Sequence, residues 1–201
     1  MNSPQHNGRA RAASKEKRSR LWIVPLVLIL AAAALVTFLV LQSRGPEAVA
    51  EKYLDAEFRY DLRGLIDYSA YNFAEAEFGV PDEAGLVQWA QQTLDDDEIN
   101  SFSDLRRYYM KQAKSKIDNT EYSLEVLGSR SVPASEWASR IADFGGGESF
   151  RGVRAEDIEQ MTEVTVLAHV VTADSDETHE LAVCVIKQKG KWGVLCYETR
   201  S

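Results

Sequence analysis

The stretch LWIVPLVLILAAAALVTFLVL, residues 21–41, decides how the rest of the chain is arranged. It contains 21 residues and no charge. A helix of that length rises about 31 Å at ~1.5 Å per residue, close to the ~30 Å hydrocarbon core of a bilayer. Backbone polar groups in lipid must find partners within their own segment, which a helix provides. The sequence therefore predicts a single transmembrane helix over residues 21–42.

Charge on the two sides of this stretch predicts its orientation. Residues 1–20 carry six basic residues against one acid and have no apolar periodicity. We therefore expect a disordered basic tail in the cytoplasm and an extracytoplasmic domain over residues 46–201. The apolar run is longer than the ~7–15 residues of a signal-peptide core. The small residues Ala48, Val49 and Ala50 nevertheless leave cleavage open as the alternative.

Composition limits what the domain after the membrane segment can do. The chain has 23 Lys and Arg against 31 Asp and Glu, and the tail holds six of the former and one of the latter, so the rest has a net charge of −13. Such a domain repels phosphate backbones, and we expect no nucleic-acid partner. About 155 residues suffice for one hydrophobic core. We therefore expect one domain.

Helical periodicity dominates the first half of this domain. An apolar stripe follows Pro46, and we expect Gly64 to break the helical segment. A second helix is predicted to begin at Pro81. A third is predicted after Ser101, because Ser101 and Asp104 have the spacing of a capping box.

The second half reads mainly as sheet. Apolar and polar residues alternate from Tyr122 to Gly128, which predicts a strand. Pro133 begins a short helix that the glycines at 145–147 close. The last third predicts three antiparallel strands, the final two joined around Gly190.

The two cysteines fall on these last two strands. A three-residue loop centred on Gly190 would place Cys184 directly opposite Cys196, whereas a two-residue loop would offset the pair by one. Opposed Cβ atoms lie about 4.5–5.5 Å apart, close enough for a bridge after slight adjustment. An even cysteine count in an oxidising compartment favours such a bond. We therefore predict a Cys184–Cys196 disulfide.

The order of these elements resembles the NTF2-like (cystatin-like) superfamily, and most of all its DUF4878-type membrane-anchored bacterial domains. The resemblance is carried by the opening AVAEKYLDA (residues 48–56) and the closing VIKQKGKWGV (residues 185–194), and it covers about residues 46–201. It implies an α+β fold in which a curved antiparallel sheet wraps the first helix as a cone and leaves a cavity. Depending on what fills the cavity, such a cone is a core, a ligand pocket or an active site. The segment of residues 131–153 departs from the minimal pattern, as an insertion would.

The sequence offers few catalytic candidates. Pairing Val171 with His179 would put His169 and His179 on one sheet face, but no third metal ligand is placed by spacing. No nucleophile elbow, phosphate loop or zinc pattern occurs. We therefore expect no catalytic residues, no metal and no cofactor. The binding candidates are aromatic and histidine side chains, namely Tyr53, Tyr108, Trp137, His169 and His179.

These observations favour a non-enzymatic, single-pass membrane protein whose extracytoplasmic domain binds a protein partner or a small ligand in the cone. One alternative is a structural bridging subunit of an envelope machine, similar to those of type IV secretion systems. The other is a pocket isomerase or dehydratase, which would need a carboxylate or histidine of shifted pKa facing the cavity. The sequence does not specify an oligomeric state.

Overall fold

The computed structural model describes residues 45–94, 98–145 and 147–200. The basic tail of residues 1–20 and the apolar segment of residues 21–42 lie outside the described residues, as do the transmembrane and orientation predictions made for them. Within the described ranges, every helix is too short or too polar to span a bilayer.

The fold is α+β, with helices first and most of the sheet last. The helices are α1 (Pro46–Phe58), α2 (Leu62–Tyr68), α3 (Phe73–Phe78), α4 (Glu83–Leu94), α5 (Phe102–Asp118) and α6 (Trp137–Gly145). The strands are β1 (Glu121–Ser131), β2 (Ser149–Phe150), β3 (Val153–Arg154), β4 (Gln160–Val171), β5 (Asp176–Gln188) and β6 (Lys191–Arg200). An antiparallel sheet has the order β1-β4-β5-β6, and β2 and β3 form a separate hairpin. Shifts in register within β1 and β6 mark bulges, which bend and twist the sheet.

The helix boundaries confirm part of the sequence reading and correct the rest. Ser101 caps α5 by accepting a 3.2 Å hydrogen bond from the backbone N–H of Asp104, as the capping-box spacing predicted. The second predicted helix exists but begins at Glu83 rather than Pro81.

The prediction that Gly64 breaks the first helical segment is wrong. The chain turns at residues 59–61 instead, and Gly64 lies inside α2. A Cβ atom built on Gly64 would lie 2.5 Å from the Cβ of Ala56. Glycine is therefore required because α1 and α2 approach closely, and local breaking tendency does not explain its position.

The hairpin between β5 and β6 has a two-residue loop and not the predicted three-residue loop. Lys189 and Gly190 have φ values of 50° and 76°, as a tight primed turn requires. This loop pairs Ile186 with Gly193. A bulge in β6 then shifts the register by one residue, so Cys184 lies opposite Cys196 after all.

Strand β5 is buried on both faces because two hydrophobic clusters meet there. Side chains on one face of a strand alternate with those on the other. Val183 and Val185 pack with α1 in one cluster, whereas Cys184 and Ile186 belong to a second cluster with residues of the helices α2 to α6. The sheet is thus covered by α1 on one face and by the remaining helices on the other.

Candidate functional site

Two cavities adjoin the C-terminal half of α1, and Glu57 and Tyr197 line both of them. The larger is an open groove of about 950 Å³ between α1 and the ends of β4, β5 and β6. The smaller is a cavity of about 470 Å³ bounded by α1, α3, α6 and the β2–β3 hairpin. The carboxyl of Glu57 and the hydroxyl of Tyr197 therefore lie where a molecule in either cavity could meet them.

The groove combines an apolar floor with a polar rim. Leu54, Phe58, Ala168 and Leu181 line its inner part. Polar and charged side chains line its rim, namely Lys116, Asp174, Glu177 and His179. Ligand sites of 300–1,000 Å³ commonly have this division, because apolar walls supply affinity and a few polar groups supply orientation.

Glu57 is the unusual residue of the site. It follows Tyr53 by one helical turn and so shares the face of α1 that packs toward the sheet. The Tyr197 hydroxyl donates a 2.5 Å hydrogen bond to Glu57 Oε1, whereas Glu57 Oε2 is buried and has no partner among the described residues. Burial raises the pKa of Glu57, and the hydrogen bond from Tyr197 and the charge of Arg151 oppose that rise. The buried second oxygen is an unused acceptor between the two cavities.

Two tyrosines beside this carboxyl are held in their neutral form. Burial, with the Glu57 charge adding to it, raises the pKa of Tyr53 to about 12. Burial and the bond to Glu57 also raise the pKa of Tyr197. The two rings meet edge to face, with centroids 6.5 Å apart. Both hydroxyls therefore act as hydrogen-bond donors and acceptors near neutral pH and not as bases.

Arg151 reaches the smaller cavity from the tip of the β2–β3 hairpin. Its guanidinium carbon lies 4.5 Å from the ring centroid of Tyr71 and 5.2 Å from that of Phe150. Its Nη2 lies 2.9 Å from Glu77 Oε1, and its Nη1 donates to the Tyr71 hydroxyl. An aromatic and acidic cage, formed by Tyr71, Phe150 and Glu77, thus holds this cation.

The cysteines lie next to the same cavity. Cys184 is buried, and Cys196 lines the cavity wall. Both are free thiols in this structure, so the predicted disulfide is not formed here, although the two residues are partners in register. A hydrogen bond with Cys184, together with burial, raises the pKa of the Cys196 thiol. As a thiol, Cys196 is therefore a weak nucleophile.

The pairing of Val171 with His179, which would have put His169 and His179 on one sheet face, does not occur. A short turn at residues 172–175, closed by a 2.8 Å bond from the Thr172 N–H to the Ser175 carbonyl, pairs Val171 with Asp176. His179 then lies opposite Ala168 and faces the groove, whereas His169 points to the other face of the sheet, with its Nε2 2.6 Å from Asp176 Oδ1. Within the described ranges, no three metal-ligating side chains come together.

The remaining predicted binding residues, Tyr53, Tyr108 and Trp137, also fall into two groups, one at the cavities and one away from them. Tyr53 is buried beside Glu57 and lines the smaller cavity. Trp137 donates a 2.9 Å hydrogen bond from Nε1 to the Val132 carbonyl and packs against the core, and Tyr108 packs there too. The structure therefore brings Tyr53 and His179 to the cavities and leaves Tyr108, Trp137 and His169 elsewhere.

Sequence reasoning missed Glu57, Glu77, Arg151 and Tyr197. Glu57 could have been identified from the sequence, because it is a charged residue on the apolar stripe of α1 that also carries Val49 and Tyr53. The other three are brought together only by the bulge in β6 and by the packing of the β2–β3 hairpin.

No family model, no curated protein and no solved structure matches this chain.

The burial of Glu57 makes stability depend on pH. The pKa of Glu57 is higher in the folded chain than in the unfolded chain. Burial of the neutral carboxyl therefore costs no stability at pH values below the unfolded-state pKa, and stability is lost as the pH rises through the folded-state pKa. We expect Glu57→Gln to raise the melting temperature relative to the wild type at about pH 8 and to leave it unchanged near pH 4. Thermal unfolding of both chains across this range measures the difference.

Glu51→Gln is the matched control, because Glu51 is exposed on the same helix. It should leave the melting temperature within about 1 °C of the wild type at both pH values, as expected for a surface change. A Glu57→Gln chain that behaves like this control would show that the Glu57 carboxyl is not buried in solution.

Proposed function

We propose that this chain is a single-pass membrane-anchored protein whose extracytoplasmic domain binds a small amphipathic molecule in the groove beside α1. The domain is proposed to be NTF2-like and of the DUF4878 type. The helix-first order, the sheet order β1-β4-β5-β6 and the packing of α1 on one sheet face support this assignment. The uncharged stretch of residues 21–41 supports the anchor.

The single observation that carries the proposal is the groove. Its volume of about 950 Å³ lies in the range of small-molecule sites, and apolar side chains form its inner wall. A core filled by the protein itself would leave no such space. A ligand there would bury its apolar part against Leu54 and Leu181 and keep its polar end at the rim.

Photolabelling tests this binding. An alkyl probe carrying a diazirine is added to membranes that contain the full chain, and labelled peptides are mapped after irradiation. We expect label on the peptides that carry Leu54 and Leu181. Val170→Trp places an indole in the groove and should reduce that label about tenfold, because Val170 lines the groove.

Val171→Trp is the matched control. Val171 is the next residue of β4 and therefore points to the opposite face. The label should be unaffected by this substitution. Equal labelling of the two variants would remove the groove as the binding site.

A second candidate, a pocket isomerase or dehydratase, is favoured by one observation. Glu57 is a carboxyl with a raised pKa at the border of both cavities, which is the property expected of a general acid or base. Under this alternative Glu57→Gln abolishes turnover and leaves photolabelling unchanged. Under the binding proposal the chain converts nothing, and Glu57 only orients the ligand.

The proposed location also predicts the state of the cysteines. We expect the full chain isolated from membranes to carry a Cys184–Cys196 disulfide, because an extracytoplasmic compartment oxidises paired thiols. Alkylation of the denatured chain should then label neither cysteine before reduction and both afterwards. In Cys196→Ser the remaining thiol should label in both cases. Labelling of both cysteines without reductant would argue against an oxidising location.

A further inference from the structure

The smaller cavity has a charge imbalance that points to a ligand class. Arg151 is the single cation among its described lining residues, and Glu57 and Glu77 are both anionic when ionised. Arg151 pairs directly with Glu77 at 2.9 Å. Glu57 Oε2 is buried and finds no partner within the part of the chain that the structure describes, so one acceptor of the cavity lacks a donor there. A positively charged donor would satisfy it.

The walls of the cavity favour an organic cation over a metal ion. Phe73, Phe144 and Phe150 line it together with the two tyrosines at positions 53 and 197. Aromatic faces attract ammonium, amidinium and guanidinium groups, and they supply no ligand for a hard metal ion. Its volume of about 470 Å³ also exceeds what a bare ion needs and suits a small molecule.

Arg151 itself shows which chemistry the cage accepts. Its guanidinium lies on two aromatic rings and pairs with one carboxylate, and its side chain remains about one-third exposed. The backbone of Arg151 has φ 52°, in a turn with Gly152 where Asn, Asp or Gly is usual. Arg151 thus adopts a positive φ, which is unfavourable for a residue with a long side chain, and its side chain enters the cavity.

We propose that this cage is a binding site for a small organic cation, of the amidinium, guanidinium or amine class, and that the Arg151 side chain competes with it. The ligand cation takes the place of the guanidinium between Tyr71, Phe150 and Glu77, and Glu57 Oε2 accepts a second hydrogen bond from it. Because of this competition, the apparent affinity equals the intrinsic affinity multiplied by the fraction of time that the cage is free of the Arg151 side chain. The inference concerns the smaller cavity and does not depend on ligand binding in the groove.

Benzamidine is the probe, and uncharged benzamide of the same shape is its control. Binding to the full chain in a non-ionic detergent is measured by isothermal titration calorimetry. Arg151→Met keeps an apolar stem and removes the charge, so it should bind benzamidine about tenfold more tightly than the wild type does. It should also bind benzamidine about tenfold more tightly than benzamide. Adding Glu77→Gln to Arg151→Met should reverse the gain.

Arg154→Met is the matched control, because Arg154 lies on the same hairpin and pairs outside the cavity with Glu156 at 3.4 Å. It should leave the wild-type affinity unchanged. Equal affinity of Arg151→Met for benzamidine and benzamide would show that the site does not recognise the positive charge, and it would overturn the proposal. Absence of benzamidine binding to a folded Arg151→Met chain would overturn it too.

The wild-type chain decides the question if Arg151→Met does not fold. Benzamidine, and not benzamide, should then raise the wild-type melting temperature, and Glu57→Gln should abolish that rise. No difference between the two compounds would contradict the proposed cation site.

Discussion

Gly193→Ala should lower the free energy of unfolding by about 3 kcal/mol, the upper end of the usual cost of overpacking. A Cβ atom at this position would lie 2.7 Å from the backbone N and Cα of Ala70 and 2.8 Å from the carbonyl carbon of Ser69. These are backbone atoms, so no side-chain rotation relieves the clash. Ala70 N–H also donates a 2.8 Å bond to the Val194 carbonyl, which the displacement would break. Urea unfolding of the full chain in detergent, followed by circular dichroism, measures the loss.

Gly147→Ala is the control for this substitution. A Cβ atom on Gly147 would have no heavy atom of the other described residues within 4 Å. Its effect should stay within about 0.5 kcal/mol, as for most surface changes. If Gly193→Ala is equally mild, the segment after α2 does not rest on β6, and Tyr71 is not held where the cation cage requires it.

Leu54→Ala should cost about 2–5 kcal/mol, the usual range for emptying a buried leucine site. Leu54 is 1% exposed and packs with the cluster that joins α1 to the sheet, including Val164 and Val183. It also lines the groove, so the substitution leaves a cavity that opens into space already present. Thermal and urea unfolding of the same preparation measure the cost.

Met110→Ala provides the comparison, because Met110 is 48% exposed on α5. Its effect should be below about 0.5 kcal/mol. A Leu54→Ala cost as small as that would mean that α1 does not pack on the sheet. The groove would then lose the helix that forms its wall.

Periodicity and caps made most of the architecture predictable. The 3.6-residue stripe of α1, the Ser101 cap of α5 and the alternation in β1 and β4 each depend on residues close in sequence. These sequence patterns can therefore be recognised without knowledge of the tertiary structure. The α+β class and the antiparallel final strands followed from them.

Features that depend on contacts distant in sequence were not predictable. Gly64 reads as a helix breaker, yet its role is to let α2 approach Ala56. The bulge in β6 compensates for a loop one residue shorter than expected, and it moves Tyr197 toward Glu57. No local pattern indicates either event, because each is selected by packing in the folded chain.

The site was predictable only where a residue contradicted its surroundings. Glu57 is a carboxylate on an apolar helical face, which is a readable anomaly. Arg151 and Glu77 belong to separate elements, and only the folded structure brings them within 2.9 Å. The facing of the two histidines was mispredicted because the turn at residues 172–175 is three residues shorter than a pairing of Val171 with His179 assumes, and an odd change in register puts His169 and His179 on opposite faces.

Native mass spectrometry of the full chain, purified from its own membranes and released from detergent in the gas phase, tests the binding proposal most directly. We expect the wild type to carry an additional non-covalent mass in the range of a small amphipathic molecule. Val171→Trp should retain this mass, and Val170→Trp should lose it. A wild-type chain that appears only at its bare mass, or a ligand mass that both variants retain equally, would contradict binding in the groove.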